Sequence, residues 1–409
     1  METYMDLKMK PSYTSIDNLP EEVLTEMFIR LPVKYILRCI CVQKSWYNLI
    51  KTPLFITLHF NRQKVTTHNH LKLLFFRQNH THELSVRFDD VNCQEYCTVR
   101  DIIPNLHDPS LYYAYVWYAV SYGLICASNV VHHGDDEGYN RNIYLWNPLI
   151  QKYKTLPDSP LPSRLHDMVD SWEALAFGFV PEVNDYFVVH IYKPHLPDNH
   201  HSVIIGVYSL NTNSWKKKNQ DKCHMHLSNM HDTVFVNGAA FWLGLRGYTH
   251  IAMCFDTKTE ILREIMLPEW ISREIGDNRV IHPFGQSLAY FVDNYENCFD
   301  MGVLKGDPIN EYSWEKKMSV CTKKSVKPGV LGLRNNGEPL VTQLGLVFKN
   351  RPVPYDFHKL ISYSLDSLEE NEFVESWYHW NDFSYTEKIV APPFHITPFV
   401  ESLVFLDID

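Results

Sequence analysis

Twenty-one histidines are the first candidates for chemistry in this chain. They gather in pairs, His68/His70, His80/His82, His132/His133, His200/His201 and His224/His226. With Cys93/Cys97 and Cys223 they are the residue types that hold zinc. A structural zinc site needs two ligand pairs at defined spacing, such as a C-x2-C pair with a matching second pair, and the sequence offers none. The expectation is no metal, and histidine-rich surface loops whose charge changes near the imidazole pKa. Gly285-Gln286-Ser287-Leu288-Ala289 holds half of a nucleophile elbow, but it sits in a β-run where the elbow needs a strand-to-helix turn. Gly302-Val303-Leu304-Lys305-Gly306 lacks the Gly-Lys-Ser/Thr ending that cradles phosphate, and no GxGxxG occurs. The acid pairs Asp135/Asp136 and Glu369/Glu370 fall in loop-like segments, where carboxylates keep a surface solvated. No catalytic residue and no cofactor are expected, and the chain reads as a binding protein.

The elements that would carry a binding surface begin with composition. The chain has 409 residues, 45% hydrophobic and 21% charged, which is globular composition with enough length to bury a core in two or three domains. Aromatic residues make up 14%, and these favour pleated, half-buried surfaces, so the chain leans toward β. The net charge of −10 supplies no basic footprint for phosphate, which disfavours general nucleic-acid binding and suits a basic protein partner. Nine cysteines form an odd and sparse set, and Met1 to Lys10 contains no apolar run, so reduced thiols in cytosol or nucleus are expected. Residues 109–131 carry no charge, yet tyrosines, Trp117, Ser121 and Gly123 run through the middle. Aromatic residues of membrane spans collect at the interfaces instead, so two strands with a break near Ser121 are expected here and no membrane segment.

The pattern changes near residue 60, from helical period to short β-runs. Val23, Met27 and Leu31 repeat at i, i+4 and i+8, with Leu24 and Phe28 on the adjoining stripe. Pro20 suits a first helical turn, Glu21 and Glu22 suit the positive end of the dipole, and Asn18 suits a cap. Pro32 stops this helix, and two more are expected over 33–39 and 42–50. A unit this small cannot bury a sufficient core alone, so it needs a partner surface, unless it docks on the rest of the chain. Trp46 reads as filling the interior of the three helices, and Lys44 as a solvated flank.

The string Leu19-Pro20, Val23-Leu24, Arg30-Leu31-Pro32-Val33-Lys34, Leu37-Arg38, Cys41-Val42, Lys44-Ser45-Trp46 and Leu49-Ile50, closing with Pro53-Leu54-Phe55, resembles the F-box. Cys39, Ile40 and Gln43 depart from that pattern. The resemblance implies an interface for the Skp-type adaptor of an SCF ubiquitin ligase, made by Leu19, Pro20, Val23, Leu24, Leu31, Pro32, Val33, Leu37 and Val42. Through the adaptor it implies cullin and RING subunits.

Beyond residue 60 a weak repeat of apolar strand, turn and second strand recurs around Asn147, Asn211, Asp256 and Asp366, spaced by 64, 45 and 110 residues. The last gap leaves room for a degenerate copy over 302–317. Such spacing fits blades of about 40 to 50 residues. Further strand runs lie between these hairpins, and so many strands in one open sheet would leave hazardous edges. The expected fold is mainly β with a small α N-terminal domain: three F-box helices, then a kelch-like β-propeller of about six to seven blades. Residues 401–407 are expected to join 71–77 and close the ring. The domain limits read as a flexible 1–15, a helical 16–60 and a propeller over 61–409.

The order of helices and β-runs resembles the plant F-box-associated, kelch-like family. Within it, residues 177–192, 206–215 and 396–407 look most like S-locus F-box and S-locus-F-box-like proteins of the rose family. The family resemblance implies a substrate-recognition subunit whose propeller loops hold a target for ubiquitination. The subgroup implies pistil ribonucleases as that target; another plant regulatory or defence protein is the competing expectation. Long polar connections on a rigid scaffold are the usual place for recognition, which points to Asp135, Asp136 and Glu137 and to His195 and Asp198. The alternative from another class is a propeller glycosidase or oxidase whose N-terminal helices only pack internally.

Overall fold

The computed structural model describes residues 16, 19–65, 71–77, 84–90, 92–99, 116–132, 139–161, 172–193, 202–220, 226–227, 233–247, 249–268, 270, 279–293, 298–321, 328–347, 355–379 and 394–405. The chain divides into two compact units, one of Met1–Val65 with Glu401–Asp409, the other of Thr66–Val400.

The first unit holds α1 (Glu21–Phe28), α2 (Val33–Cys39), α3 (Lys44–Ile50) and α4 (Pro53–Val65). Pro20 and Pro32 are the residues at which α1 and α2 begin, each with extended backbone just outside its helix. Leu24, Phe28, Val33, Ile36, Ile50, Phe55 and Phe60 form the interior. The Trp46 ring packs edge-on against Phe28 at 4.9 Å, so the internal reading of this tryptophan holds. The fourth helix was not anticipated. Phe55, Ile56, His59 and Phe60 are its buried set, which is a helical face. The helical unit therefore runs past residue 60 to Val65.

The unit also takes in the end of the chain. Glu401, Ser402, Leu403 and Phe405 are buried, and Phe405 holds φ at +77°, a left-handed conformation that an aromatic residue keeps only when its surroundings impose it. Residues 401–407 were expected to form the closing strand of the ring, and this is corrected: 401–405 are not extended strand.

The second unit is built from antiparallel sheets. The strands β1 (Lys72–Arg77), β2 (Leu84–Phe88) and β3 (Glu95–Val99) form the first group, followed by β4 (Val116–Ser121), β5 (Leu124–His132), β6 (Tyr139–Asn147) and β7 (Lys152–Thr155). Next come β8 (Trp172–Val180), β9 (Asp185–Lys193), β10 (Val203–Ser209) and β11 (Ser214–Gln220). A five-stranded sheet holds β12 (His226–Leu227), β13 (Thr233–Val236), β14 (Ala239–Arg246), β15 (Thr249–Asp256) and β16 (Ile261–Met266). The last groups are β17 (Arg279–Phe284), β18 (Ser287–Asp293), β19 (Cys298–Asp307) and β20 (Glu311–Cys321), then β21 (Pro328–Leu333), β22 (Pro339–Val347), β23 (Tyr355–Tyr363) and β24 (Glu370–His379), and finally β25 (Phe394–Phe399).

These strands close a ring. The inner strands β4, β8, β13, β17, β21 and β25 adjoin one another in turn, and β25 adjoins β4 again. Apolar contacts follow the same circuit: Leu74 and Phe399 meet Ile125 and Trp146, Val189 and Ile205 meet Trp242 and Met253, and Phe241 and Cys254 meet Ile281 and Tyr290. Met301 and Val303 then meet Val341 and Ile361. Middle strands such as β9 are buried on both faces between neighbouring blades, whereas the outer strands β7 (KYKT) and β11 (SWKKKNQ) alternate and carry lysine, which protects an exposed edge. Among the described residues this makes six blades, with β25, β1, β2 and β3 as the one assembled from both ends of the chain.

The closing strand is thus β25, pairing with β1 from Lys72↔Phe399 to Arg77↔Phe394, seven residues upstream of where closure was expected. Pro398 argues against a strand when read in sequence, but the other side of β25 meets β21 only at Gly332↔Ile396, so few donors are needed there. The turn after β21 locks this junction. Asp89 accepts from Arg334 Nε at 2.7 Å and from Asn335 N at 2.9 Å, and Arg334 also reaches Glu338 at 2.9 Å. Burial works against the Arg334 charge, but the two acids outweigh it and raise its pKa.

Neighbouring blades are also stapled by tryptophan. Trp215 Nε1 donates to the Pro157 carbonyl, after β7, at 2.8 Å and Trp314 Nε1 to that of Met266, at the end of β16, at 2.9 Å, each crossing from an outer strand to the preceding blade. Asn147 and Asp256 begin their turns as expected, accepting from Leu149 N and Lys258 N. Ser209 and Ser364 take that role in place of Asn211 and Asp366, accepting from Thr212 N and Ser367 N. The described part of the uncharged stretch, from Val116 on, forms β4 and β5 around a turn at Tyr122 and Gly123, both at positive φ. Among the described residues no helix is long and apolar enough to cross a membrane.

The expectation of reduced thiols fails at one pair, while Cys39, Cys41, Cys93, Cys97, Cys126 and Cys254 are free. Cys298 and Cys321 are directly opposed on β19 and β20 and are joined as a disulfide, with Cα atoms 3.9 Å apart. Their separation of 23 residues hid this pairing, because strand register and not spacing brings them together.

Candidate functional site

The two apolar stripes of α1 separate in the structure. Leu24 and Phe28 point into the helical unit, while Val23 and Met27, one residue earlier in each case, are exposed at 42% and 44%. Beside them in sequence, Pro20 is exposed and Leu19 half-buried. Val42, after α2, is 63% exposed, and Tyr35 and Tyr47 are exposed as well. On α4, Leu54 and Leu58 form a further exposed i, i+4 pair. Solvent-facing apolar side chains on so small a unit are the kind of surface that a partner would cover.

Of the residues expected at the adaptor interface, Pro20, Val23 and Val42 are exposed, and Leu19, Leu31, Pro32 and Leu37 are half-buried. Leu24 and Val33, expected in the same set, are buried in the unit's own core. Met27 belongs with the exposed set; its i, i+4 spacing from Val23 was the signal for it.

The corner Leu31-Pro32-Val33 between α1 and α2 is held from inside. His59 Nε2 lies 2.9 Å from the Leu31 carbonyl, and Glu401 Oε2 accepts from Val33 N at 2.6 Å. Pro32 has no side chain that can cap α2, and Glu401 supplies the acceptor from 368 positions away. Burial lowers the His59 pKa below its ordinary value, with the Leu31 carbonyl and the Glu401 charge opposing that shift. The neutral ring then donates Nε2–H to Leu31.

Asp135, Asp136, Glu137, His195 and Asp198 lie outside the described residues, as do most of the histidine pairs. The strands that flank them are informative. β5 ends at His132 and β6 begins at Tyr139, β9 ends at Lys193 and β10 begins at Val203; each is the step from second to third strand, so these strand ends lie at the same end of their blades. The short turns 122–123, 181–184 and 210–213 occupy the other end. At the connecting end, His190 bridges Ser159 Oγ at 3.0 Å and Glu173 Oε2 at 3.1 Å, and Ser159 Oγ also receives Leu161 N. This chain of contacts ties the connection after β7 to β9. Among the described residues no group of three His, Cys, Asp or Glu is placed to hold a metal ion.

Residues 62–344 match the family model of the F-box associated beta propeller domain, and residues 16–58 match that of the F-box domain. The Arabidopsis thaliana F-box/kelch-repeat protein At3g23880 is 27% identical over 55% of this chain and 58% of its own length. F-box protein At1g47340 of the same plant is 26% identical over 73% of this chain and 63% of its own, so the chain spans less than two thirds of either relative. F-box protein At5g49610 is 28% identical over 78% of this chain and 84% of its own length. Among solved structures, a mutant of AofleA from Arthrobotrys oligospora aligns at a TM-score of 0.42 and 10% identity, over 82% of this chain and 88% of that one. With more than half of its length covered by one family model, the chain belongs to the F-box associated beta propeller family, with an F-box domain ahead of the propeller.

Proposed function

We propose that this chain is the substrate-recognition subunit of an SCF-type ubiquitin ligase. The observation that carries the reading is the F-box match over residues 16–58, a segment that exposes Val23, Met27 and Val42. Burying a Val or Met side chain against an adaptor contributes about 1.5 to 3 kcal/mol before association costs, so a few together sustain a complex. The Skp-type adaptor docks on these residues with Leu19, Pro20, Leu31, Pro32 and Leu37, and brings cullin and RING subunits with it. The protein forms no covalent bond of its own. It holds a target beside the charged ubiquitin carrier and so raises the effective concentration of the target's lysines. Its place of action is the cytosol or nucleus.

The target meets the connecting end of the propeller, at Asp135, Asp136 and Glu137 and at His195 and Asp198. A net charge of −10 favours a basic target protein, and a pistil ribonuclease is the candidate if the S-locus resemblance extends to function. The test is calorimetric titration of the full chain with recombinant Skp-type adaptor, followed by affinity capture from native tissue with the proteasome blocked. Micromolar or tighter binding, and recovery of cullin with a target, are the outcomes expected; no adaptor binding by the folded chain overturns the reading.

A further inference from the structure

The adaptor-docking unit does not end where its family pattern ends. The F-box match stops at residue 58 and the propeller match at residue 344, so neither reaches the last stretch of the chain. That stretch nevertheless belongs to the helical unit, with Leu403 and Phe405 in its interior and the Glu401 side chain at its core. Glu401 Oε2 lies 2.6 Å from Val33 N. Val33 opens α2, and its N–H has no partner within the helix, because the first turn of any helix lacks carbonyls ahead of it. On the other side of Pro32, His59 holds the Leu31 carbonyl. The corner that carries the half-buried Leu31 and Pro32 is therefore pinned at both ends from within, and one of the pins comes from residue 401.

We infer that Glu401 is a positioning residue for adaptor docking, completing the F-box by fixing the α1–α2 corner from the C-terminal segment. The inference rests on the adaptor reading above. Its physical basis is population: a corner freed of one pin samples other angles between α1 and α2, and binding weakens by the fraction of time the competent angle is lost. The chain's last residues thereby become a requirement for binding a partner that Glu401 never touches.

The test uses the full chain with Glu401→Ala, which removes the acceptor, and Glu401→Gln, which keeps an oxygen on the same stem. Adaptor affinity is measured by titration calorimetry, and hydrogen exchange is followed at the Val33 amide and across residues 21–50. Glu401→Ala is expected to weaken adaptor binding about tenfold, as for a buried N–H left without an acceptor, and to speed Val33 exchange while α1 and α3 stay protected. Glu401→Gln is expected to bind within about twofold of the unaltered chain, since a neutral amide oxygen still accepts. Unaltered affinity in Glu401→Ala overturns the inference, and so does an equal loss in both variants. If Glu401→Ala leaves residues 21–50 unprotected, Glu401→Gln decides, and a loss there with the helices intact overturns it. Should the unaltered chain not bind the adaptor, the functional reading fails by itself, and unchanged Val33 exchange in Glu401→Ala then refutes the pin independently.

Discussion

Gly332 of β21 and Ile396 of β25 approach so closely that a Cβ on the glycine would stand 1.8 Å from the Ile396 carbonyl oxygen. This is the parallel contact at which the last full blade meets the blade built from both chain ends. Gly332→Ala is expected to destabilise the propeller by about 3 kcal/mol or more, because the neighbour is backbone and cannot turn aside. Urea unfolding of the variant checks it, with hydrogen exchange of β25 as the local readout. A change below about 1 kcal/mol would show that the junction yields.

Adjacent residues of α1 are expected to fail in different ways. Leu24→Ala empties a core position and costs the helical unit about 3 kcal/mol. Val23→Asp with Val42→Asp alters exposed positions, leaves thermal unfolding nearly unchanged, and abolishes adaptor co-purification, because a charge cannot enter an apolar contact unpaired. Circular dichroism melting beside pull-down separates the two.

The tryptophan staples are expected to contribute independently. Trp215→Phe and Trp314→Phe each remove one indole donor to a backbone carbonyl and cost about 1 kcal/mol. The sites share no partner, so the double variant should lose the sum to within about 0.5 kcal/mol. Denaturant midpoints at constant slope provide the measurement.

His59 makes the helical unit sensitive to acid. Its folded pKa lies below 6.5, the value taken in the unfolded chain, so between the two the unfolded chain holds a proton that the folded one does not. Stability therefore rises with pH through that window, is complete above 6.5, and falls as pH drops below it. Burial of the ring is the main cause, and Glu401 moderates it. His59→Gln removes the titrating group and is expected to flatten this dependence; hydrogen exchange across residues 21–50 from about pH 5 to pH 8 tests it.

Much of the fold was legible because local patterns and global structure agree. Pro20 and Pro32 bracket α1, and Val33 to Cys39 is a helix with the bounds expected of it. Asn147 and Asp256 start tight turns through their own side chains, a property that travels with the residue. What escaped was set by distant parts of the chain. Helix α4 was one such element, because its buried face of Phe55, Ile56, His59 and Phe60 is set by what packs on it. Likewise the apolar run at 401–405 reads as a strand, but the helical interior takes Leu403 and Phe405.

By itself the sequence determined the succession of helices and hairpins, the repeat, and the F-box string, since propensity, proline and turn chemistry act over a few neighbouring residues. Tertiary structure alone decided which stripe of α1 faces out, that Cys298 meets Cys321, that β25 closes the ring on β1, and that Glu401 reaches Val33. Each of these is a choice of partner between segments far apart in the chain. Such choices are settled when burial, strand register and backbone satisfaction are met for the whole molecule at once, and no local window contains that information.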